Sequence, residues 1–306
     1  MHQSFWILTG PTASGKTEVA FHLAKEIGAE IISADSMQVY RGMDIGTAKP
    51  PLELRREVPH HLIDIVDPWE SYSVGRYILD AREAMSRVEE RGRRCLVVGG
   101  TGLYVKAIRE GLFRGPDADW ALREELAAVA EDKGSAYLHG VLQGIDPVSA
   151  GRIHEKDLRR IIRALEVYQK TGKAISLLQR EWGTIREDSI LVVLSLKREE
   201  LNRRVEERVQ RMMKEGLVEE VRHLLSSPKG LSKQAREALG YKEVLDYLSG
   251  CISLAEAEEL IKRNTRRFAK RQMTWFRSFA GARWLEIKEG EDVQGLTKRV
   301  MEVFIG

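Results

Sequence analysis

The sequence predicts an α/β protein, in which a parallel sheet core flanked by helices carries an all-helical insertion domain. Short apolar runs alternate with segments of helical periodicity over residues 1–114, which is the pattern of a parallel sheet covered by helices. The strand signals then stop until the apolar run Ile190–Leu194. We therefore expect a core domain made of residues 1–114 and 187–306, and a helical insertion domain at 115–186.

The first segment of the core contains three strands and two helices. Phe5–Thr9 is a short apolar run that ends in glycine, as a buried parallel strand does. Thr17–Ile27 carries its apolar residues at helical spacing and is expected to be a helix. A second strand is expected at Glu30–Ala34, a second helix over 74–91, and a third strand at Cys95–Val98.

The insertion and the second segment of the core are richer in helices, which Gly and Pro residues separate. A long helix is expected to begin near Ser253, which forms the pattern of a capping box with Glu256. Ala282–Ile287 is expected to add a last strand. The other expected helices are Trp120–Asp132, Ser135–Leu142, Asp157–Thr171, Arg198–Leu225 and Gln234–Leu248.

The composition excludes several classes of protein. Of the 306 residues, 43% are hydrophobic and 31% charged, which is the balance of a soluble globular chain. The chain has no run of about 18 apolar residues and no basic leader with a cleavage site, so neither a membrane span nor an export signal is expected. Cys95 and Cys251 form no disulfide framework and suit a reducing cytoplasm. The net charge of +3 is too small to indicate nucleic acid by itself.

A phosphate-binding loop follows the first strand. The segment GPTASGKT matches GxxxxGK[ST] in full and lies between a strand and a helix, as this motif must. Its glycines let successive N–H groups point inward, and the helix N-terminus adds a positive dipole end. Lys16 brings a positive charge, and the Thr17 hydroxyl can ligate Mg²⁺. The residues expected to hold phosphate are Gly10, Pro11, Thr12, Ala13, Ser14, Gly15, Lys16 and Thr17.

The loop lacks the acidic neighbour of a typical ATPase, in which the strand beside the loop ends in a Mg²⁺-ordering Asp. Here Cys95–Val98 ends in Gly99-Gly100-Thr101-Gly102, which offers backbone donors and one hydroxyl. The acid that closes an early predicted strand is Asp35 instead. Its position suggests a proton acceptor. A helix N-cap and a second Mg²⁺ ligand remain alternative interpretations of Asp35.

Two clusters of basic residues suggest RNA. One runs without an acid from Lys262 to Arg277, interleaved with aromatic residues, and the other comprises Arg152, Lys156, Arg159, Arg160 and Arg163. Phosphate contact is one interpretation, and an amphipathic helix with solvated charges is the other. The pair His60-His61 has no third ligand at metal-binding spacing, which favours a structural or substrate-shaping role.

Several segments resemble the tRNA dimethylallyltransferases, also known as the IPP transferase family. They are GPTASGKT at 10–17, DSMQVYRGMDIGTAKP at 35–50, HHLID at 60–64, GGTGLY at 99–104, ALGYKE at 238–243 and KRQMTWFR at 270–277. The resemblance implies a P-loop NTPase-like core and a helical insertion that grips the tRNA anticodon arm. It also implies a cytoplasmic, monomeric enzyme that needs Mg²⁺ and has no obligate protein partner.

The implied reaction transfers a dimethylallyl group from dimethylallyl diphosphate to N6 of the adenine 3′-adjacent to the anticodon. The tRNAs would be those that read codons beginning with U, and the products would be N6-isopentenyladenosine and diphosphate. The catalytic residues implied are Asp35 as base, Thr101, Lys16 and Arg208, the last directed at the diphosphate. The implied tRNA contacts are Asp35, Ser36, Met37, Gln38, Thr101, Arg123, Arg159, Arg160, Ile161, Ile162, Arg163, Gly240, Tyr241 and Lys242.

Two other functions agree with parts of the sequence. One is a P-loop kinase that moves the γ-phosphate of ATP to a small hydroxylated substrate, with Asp35 as base; the missing Asp after Val98 counts against it. The other is a non-catalytic RNA-binding module whose loop senses a nucleotide. Label from dimethylallyl diphosphate appearing in tRNA would select the prenyl transferase over both.

Overall fold

A six-stranded parallel sheet organises the structure, a computed structural model that describes residues 5–111, 115–180 and 189–306. The strands are β1 Phe5–Thr9, β2 Ala29–Ser33, β3 His60–His61, β4 Arg94–Gly99, β5 Ser189–Ser195 and β6 Arg283–Glu286. They lie in the order β3-β2-β4-β1-β5-β6, and every neighbouring pair is parallel. The expected fold class, a parallel sheet flanked by helices, is therefore confirmed.

Helices connect the strands and also form all the regular structure between β4 and β5 in the described residues. In chain order they are α1 Lys16–Ile27, α2 Leu52–Glu57, α3 Val74–Glu90, α4 Gly102–Glu110, α5 Trp120–Lys133, α6 Ser135–Ile145, α7 Pro147–Ala150, α8 Leu158–Thr171, α9 Ile175–Arg180, α10 Arg198–Lys214, α11 Leu217–Leu225, α12 Lys233–Arg236, α13 Tyr241–Leu248, α14 Leu254–Arg277 and α15 Val293–Ile305.

The chain divides into two compact units. Met1–Arg109 with Arg186–Gly306 form the first, which holds the sheet, and Glu110–Ile185 form the second. The expected domain boundaries at 114 and 187 lie outside the described residues.

The sheet of the first unit is buried because its strands are apolar on both faces. Every residue of β1 and β2 is buried, as expected for strands covered by helices on each side. Trp6 of β1 stacks on Phe304 of α15, with ring centres 4.5 Å apart. The sequence reading did not predict α15, although its buried residues Leu296, Val300 and Phe304 recur at helical spacing.

Two expected helices are wrong as single elements. Gly216 interrupts Arg198–Leu225 and separates α10 from α11, and Gly240 interrupts Gln234–Leu248 and separates α12 from α13. The φ angles of these glycines are +98° and +90°. A positive φ cannot continue a right-handed helix, and glycine adopts it without a Cβ clash. The chain therefore turns at both points, and α10 and α13 both pack against α14.

The second unit has its own apolar core. Leu126, Leu142 and Leu165, from α5, α6 and α8, are among its buried residues. Asp146 is 2% exposed and accepts hydrogen bonds from the backbone N–H groups of Ser149 and Ser176, each at 2.9 Å. This carboxylate thereby fastens α7 to α9, since a buried charge must be satisfied by donors.

The described residues contain no helix that is both long enough and apolar enough to cross a membrane.

The N-terminus of α14 provides a test of local stability. Ser253 Oγ accepts from Glu256 N at 3.3 Å, and Glu256 Oε2 accepts from Ser253 N at 2.8 Å, so the expected capping box is present. We expect Ser253→Ala to lower the free energy of unfolding by about 1 kcal/mol, because the orphan N–H of the first turn loses its acceptor. Urea denaturation would measure it. Ser253→Asp is the control and should stay near wild type; equal midpoints for wild type and Ser253→Ala would contradict the assignment.

Candidate active site

The phosphate-binding loop has the shape that its sequence predicts. It leaves β1, turns through Ala13 and Gly15 with φ angles of +63° and +80°, and continues into α1. Ser14 N donates to Pro11 O at 3.2 Å, which closes the bend. A Cβ on Gly10 would approach Leu194 O to 3.1 Å, so this residue lies against the end of β5. The start of the loop therefore packs against β5. The first residues of α1, Lys16 and Thr17, line a cavity at the other end of the loop.

Lys16 carries the cationic side chain of this loop. It is half-buried, and its Nζ donates to Pro11 O at 3.3 Å. The pKa of Lys16 is lowered to about 8, first by burial and then by the positive charge of Arg208, while the negative charge of Asp35 acts in the opposite sense. The ammonium group is therefore held where its charge is poorly solvated, a situation that the arrival of an anion would relieve.

Asp35 and Thr101 meet because they follow adjacent parallel strands. Asp35 comes after β2 and Thr101 after β4, and Thr101 N donates to Ala34 O at 3.1 Å. Thr101 Oγ1 accepts from Ser36 N at 3.0 Å. Asp35 Oδ1 accepts from Met37 N at 2.9 Å, which holds the carboxylate in a local turn. The described residues from 34 to 51 contain no helix, so Asp35 is not a helix N-cap.

A cavity of about 400 Å³ brings the predicted catalytic residues together. Burial lowers the pKa of Arg208, which α10 supplies, and Asp35 opposes that shift. Four cationic side chains, Lys16 and Arg208 among them, line the cavity together with the three carboxylates of Asp35, Glu237 and Glu243, so its charge favours an anionic ligand. Of the predicted site residues, those lining the cavity are Thr12, Lys16, Thr17, Asp35, Ser36, Met37, Gln38, Thr101, Arg208 and Lys242.

Other residues of the predicted site support the cavity from outside. Gly10, Pro11 and Ser14 are buried beneath the loop, while Ala13 and Gly15 form its bend. Tyr241 is fully buried, and its ring lies 2.4 Å from where a Cβ of Gly46 would be. Its side chain therefore packs within the protein in this structure, behind the N-capping position of Gly240.

Glu220 is a residue that sequence reasoning missed. Its carboxylate accepts from the backbone N–H groups of residues 44, 45 and 46 at 2.9, 2.7 and 3.2 Å, and from the Tyr241 hydroxyl at 2.6 Å. These bonds fix the wall loop, residues 44–48, of which residues 46–48 line the cavity. Gln38 Nε2 in turn donates to the carbonyl oxygens of Thr47 and Ala48 at 3.3 and 3.4 Å. Glu220 thus holds the wall that orients Gln38.

Gln272 is the second missed residue. It lies on α14, is 5% exposed and lines the cavity. Its Oε1 accepts from Thr12 N at 2.8 Å, and its Nε2 donates to Gly100 O at 2.9 Å. The sequence pattern KRQMTWFR contains this residue but assigns it no position, because its two partners are far away along the chain.

The described residues hold no cluster of three or more His, Cys, Asp or Glu side chains that could bind a metal. The two histidines have structural partners, since His60 Nδ1 lies 2.7 Å from Val58 O and His61 Nε2 lies 2.7 Å from Glu30 Oε2. Thr17 and Asp35 line the same cavity. This sparse oxygen donor set fits Mg²⁺, which commonly keeps its waters and binds through phosphate oxygens and one or two protein ligands.

The predicted RNA contacts of the second unit fall into two groups, residues that are buried or ion-paired and residues that are exposed. Arg123 and Arg163 are bonded to Glu166, whose side chain is fully buried. Burial alone would raise the pKa of Glu166, but hydrogen bonds from both arginines and from Asp119 N lower it to about 2. Ile161 and Ile162 are 0% and 8% exposed, so their side chains belong to the apolar core here. Arg159 and Arg160 are exposed on α8.

The basic residues of α14, in the first unit, likewise divide into ion-paired and exposed side chains. Lys262 and Arg266 are paired with acidic side chains, while apolar Ile261, Ala269 and Phe276 are buried. Both interpretations, a packed amphipathic helix and a cationic face, therefore agree with the arrangement. The exposed cations on this face are Arg263, Arg267, Lys270, Arg271 and Arg277.

Comparisons with known proteins point in one direction. A family model described as IPP transferase matches residues 38–279, and one described as isopentenyl transferase matches residues 3–59. The chain is 49% identical to the tRNA dimethylallyltransferase of Geobacter sulfurreducens over 282 residues, which cover 92% of this chain and 91% of that protein. It is 48% identical to that of Pelotomaculum thermopropionicum, over 96% of this chain and 94% of that protein.

Solved structures give the same result. The full-length tRNA isopentenylpyrophosphate transferase of Bacillus halodurans is similar with a TM-score of 0.72 and 40% identity, over 99% of this chain and 97% of that chain. A eukaryotic dimethylallyltransferase acting on tRNA is similar with a TM-score of 0.82 and 28% identity, over 99% of this chain and 80% of that chain.

The lowered pKa of Lys16 predicts how anion binding depends on pH. Below pH 8 the side chain is an ammonium group; above pH 8 it loses its charge, so the affinity for pyrophosphate should fall with rising pH, by about tenfold per unit at most. Calorimetric titration at pH 7 to 9 would measure it. The control is Lys16→Met, whose pH profile reports the titration of pyrophosphate alone; parallel profiles for the two proteins would contradict the prediction.

Proposed function

This chain belongs to the IPP transferase family, and on that basis we propose that it transfers a dimethylallyl group from dimethylallyl diphosphate to N6 of the adenine 3′-adjacent to the anticodon of tRNA. The acceptor tRNAs are those that read codons beginning with U, and the products are N6-isopentenyladenosine and diphosphate. One observation supports it above the others. A single cavity places the cations Lys16 and Arg208 beside Asp35 and Thr101, so an anionic leaving group and a proton acceptor share one site.

The donor needs a site that stabilises its departing diphosphate. The C1–O bond of the donor breaks with both electrons going to the diphosphate oxygen, and positive charge spreads over the allyl group. Lys16, Arg208 and the N-terminus of α1 are in place before that charge develops. Such preorganised electrostatics is usually the largest catalytic contribution.

A Mg²⁺ ion fits this role as well. The Thr17 hydroxyl would hold it together with diphosphate oxygens and water. When bound, it supplies further positive charge to the leaving diphosphate. The second role considered for Asp35, as a Mg²⁺ ligand, remains compatible with its position in the cavity.

The acceptor nitrogen is a weak nucleophile, because its lone pair is delocalised into the adenine ring. N6 forms the new bond to C1 and gives up a proton, which we assign to Asp35. The Oδ1–Met37 hydrogen bond holds this carboxylate, and Thr101 together with Ser36 holds the adjacent strand end. A base in an anticodon loop reaches such a site at lower cost than a base in a duplex.

The tRNA would be bound mainly through its phosphates. Arg159 and Arg160 are exposed on α8, and the basic face of α14 offers further cations. A cytoplasmic location and a monomeric state fit these substrates and the free thiols of Cys95 and Cys251. The described part of β4 ends without a carboxylate, which argues against the kinase alternative.

Replacement of Asp35 by asparagine tests the proton acceptor. Asp35→Asn keeps an oxygen for the Met37 N–H but removes the basic carboxylate, so turnover should fall by about 10²–10⁴-fold. The KM values for both substrates should stay within a few fold. The assay follows labelled dimethylallyl diphosphate into unmodified tRNA with Mg²⁺, with ATP as the alternative donor. The control is Glu289→Gln, an exposed acid elsewhere; unchanged turnover of Asp35→Asn would remove this residue from the mechanism.

The arginines of the second unit should separate into binding and stabilising residues. Arg159→Ala should weaken tRNA binding and reduce the slope of log affinity against log salt by about one, without changing thermal stability. Arg163→Ala should instead lower the unfolding free energy by about 1–3 kcal/mol, because the buried Glu166 loses a donor. Salt-dependent binding assays and denaturation would measure these effects. A stability loss in Arg159→Ala, or none in Arg163→Ala, would reverse the assignment.

A further inference from the structure

The side-chain amide of Gln272 closes the gap between the ends of two neighbouring strands. β1 and β4 are paired in parallel up to Thr9 and Gly99, so the loops that follow them begin side by side. Gln272 bonds to Thr12 N in the first loop at 2.8 Å and to Gly100 O in the second at 2.9 Å. A glutamine from a helix far along the chain therefore occupies the crevice at this edge of the sheet.

The amide fits tightly and is not a mobile surface group. A Cβ on Gly100 would lie only 2.3 Å from Gln272 Nε2, so any larger residue at position 100 would displace the amide. Gln272 is 5% exposed, and both of its polar atoms have partners. Displacing it would break two hydrogen bonds in a buried place, which is costly.

This crevice is where a P-loop protein places a third phosphoryl group. In P-loop NTPases the loop and its Lys hold the β- and γ-phosphates, and an Asp at the end of a neighbouring strand orders the Mg²⁺ that bridges them. The corresponding strand end here is Gly99-Gly100, and the space beside it holds the Gln272 amide. The Thr12 N–H, near the start of the loop, is already used by the same side chain.

We propose that Gln272 limits the cradle to two phosphoryl groups, so that diphosphates bind and triphosphates are excluded. It is a specificity-determining residue for the donor, and the inference rests on the proposed function, in which a diphosphate is the ligand. The remaining loop N–H groups, Lys16 and Arg208 serve the two phosphoryl groups. A chain extended by a third group would meet the amide, whose volume and hydrogen bonds oppose its entry.

The proposal predicts that the protein binds the less highly charged anion more tightly, which charge attraction alone would not produce. Tripolyphosphate carries more negative charge than pyrophosphate, so a positive cradle without a barrier should bind it at least as tightly. We expect wild type to bind pyrophosphate more tightly than tripolyphosphate by about tenfold or more, which is a difference of about 1.4 kcal/mol. Calorimetric titration of the full-length protein with each anion, in Mg²⁺ buffer and without RNA, measures it.

Two variants of Gln272 separate the effect of its side-chain volume from the effect of its hydrogen bonds. Gln272→Ala opens the crevice and frees Thr12 N, so the preference for pyrophosphate should shrink to about twofold or less. Gln272→Met keeps the volume but loses both hydrogen bonds, so it should retain most of the preference. Circular dichroism would show whether each variant is folded.

Each outcome decides the proposal. A wild-type protein that binds the two anions equally would overturn it, whatever the variants do. A wild-type preference that survives in folded Gln272→Ala would also overturn it. If the wild-type protein binds neither anion, the diphosphate site itself is wrong and the proposed function fails with it. Binding of pyrophosphate without discrimination leaves the proposed function standing and removes only the role of Gln272.

Discussion

The chemistry of this molecule depends on the parallel alignment of β2, β4 and β1. Ser33 lies beside Val98, and Thr9 lies beside Gly99, so three consecutive strands of the sheet end at one edge. The loops that leave them carry Asp35, Thr101 and the phosphate-binding segment. An antiparallel arrangement would send these residues to opposite edges. The hydrogen bonding of the sheet brings these three loops together, and Arg208 of α10 and Gln272 of α14 then complete the site.

Charge decides what this edge can hold. Two cations, Lys16 and Arg208, are desolvated there, and both have pKa values lowered by burial. Asp35 offsets part of that positive charge. The protein thus maintains a site that is unfavourable when empty of anions and favourable when one arrives.

Sequence reasoning identified the parts that lie in short continuous segments. The loop at 10–17 and the residues that end β2 and β4 are visible as local patterns, and their convergence follows from the parallel sheet. Gln272 and Glu220 were missed because their partners lie 172 and 175 positions away, and no local pattern encodes such a contact. The breaks at Gly216 and Gly240 were missed because helical periodicity continues across them, whereas the backbone turns through positive φ. Tyr241 shows a related limit, since proximity in sequence to Lys242 did not reveal that its ring faces inward.

The hydrogen bonds between Glu220 and the wall loop make the site depend on a residue that does not line it. Three successive amides and a phenol converge on one carboxylate, and that carboxylate belongs to α11, which contributes nothing to the cavity surface. The shape of the cavity therefore depends in part on α11, a helix that does not line it. A substitution on α11 that shifts Glu220 would therefore change the fit of the substrate, even though no residue of that helix lines the cavity.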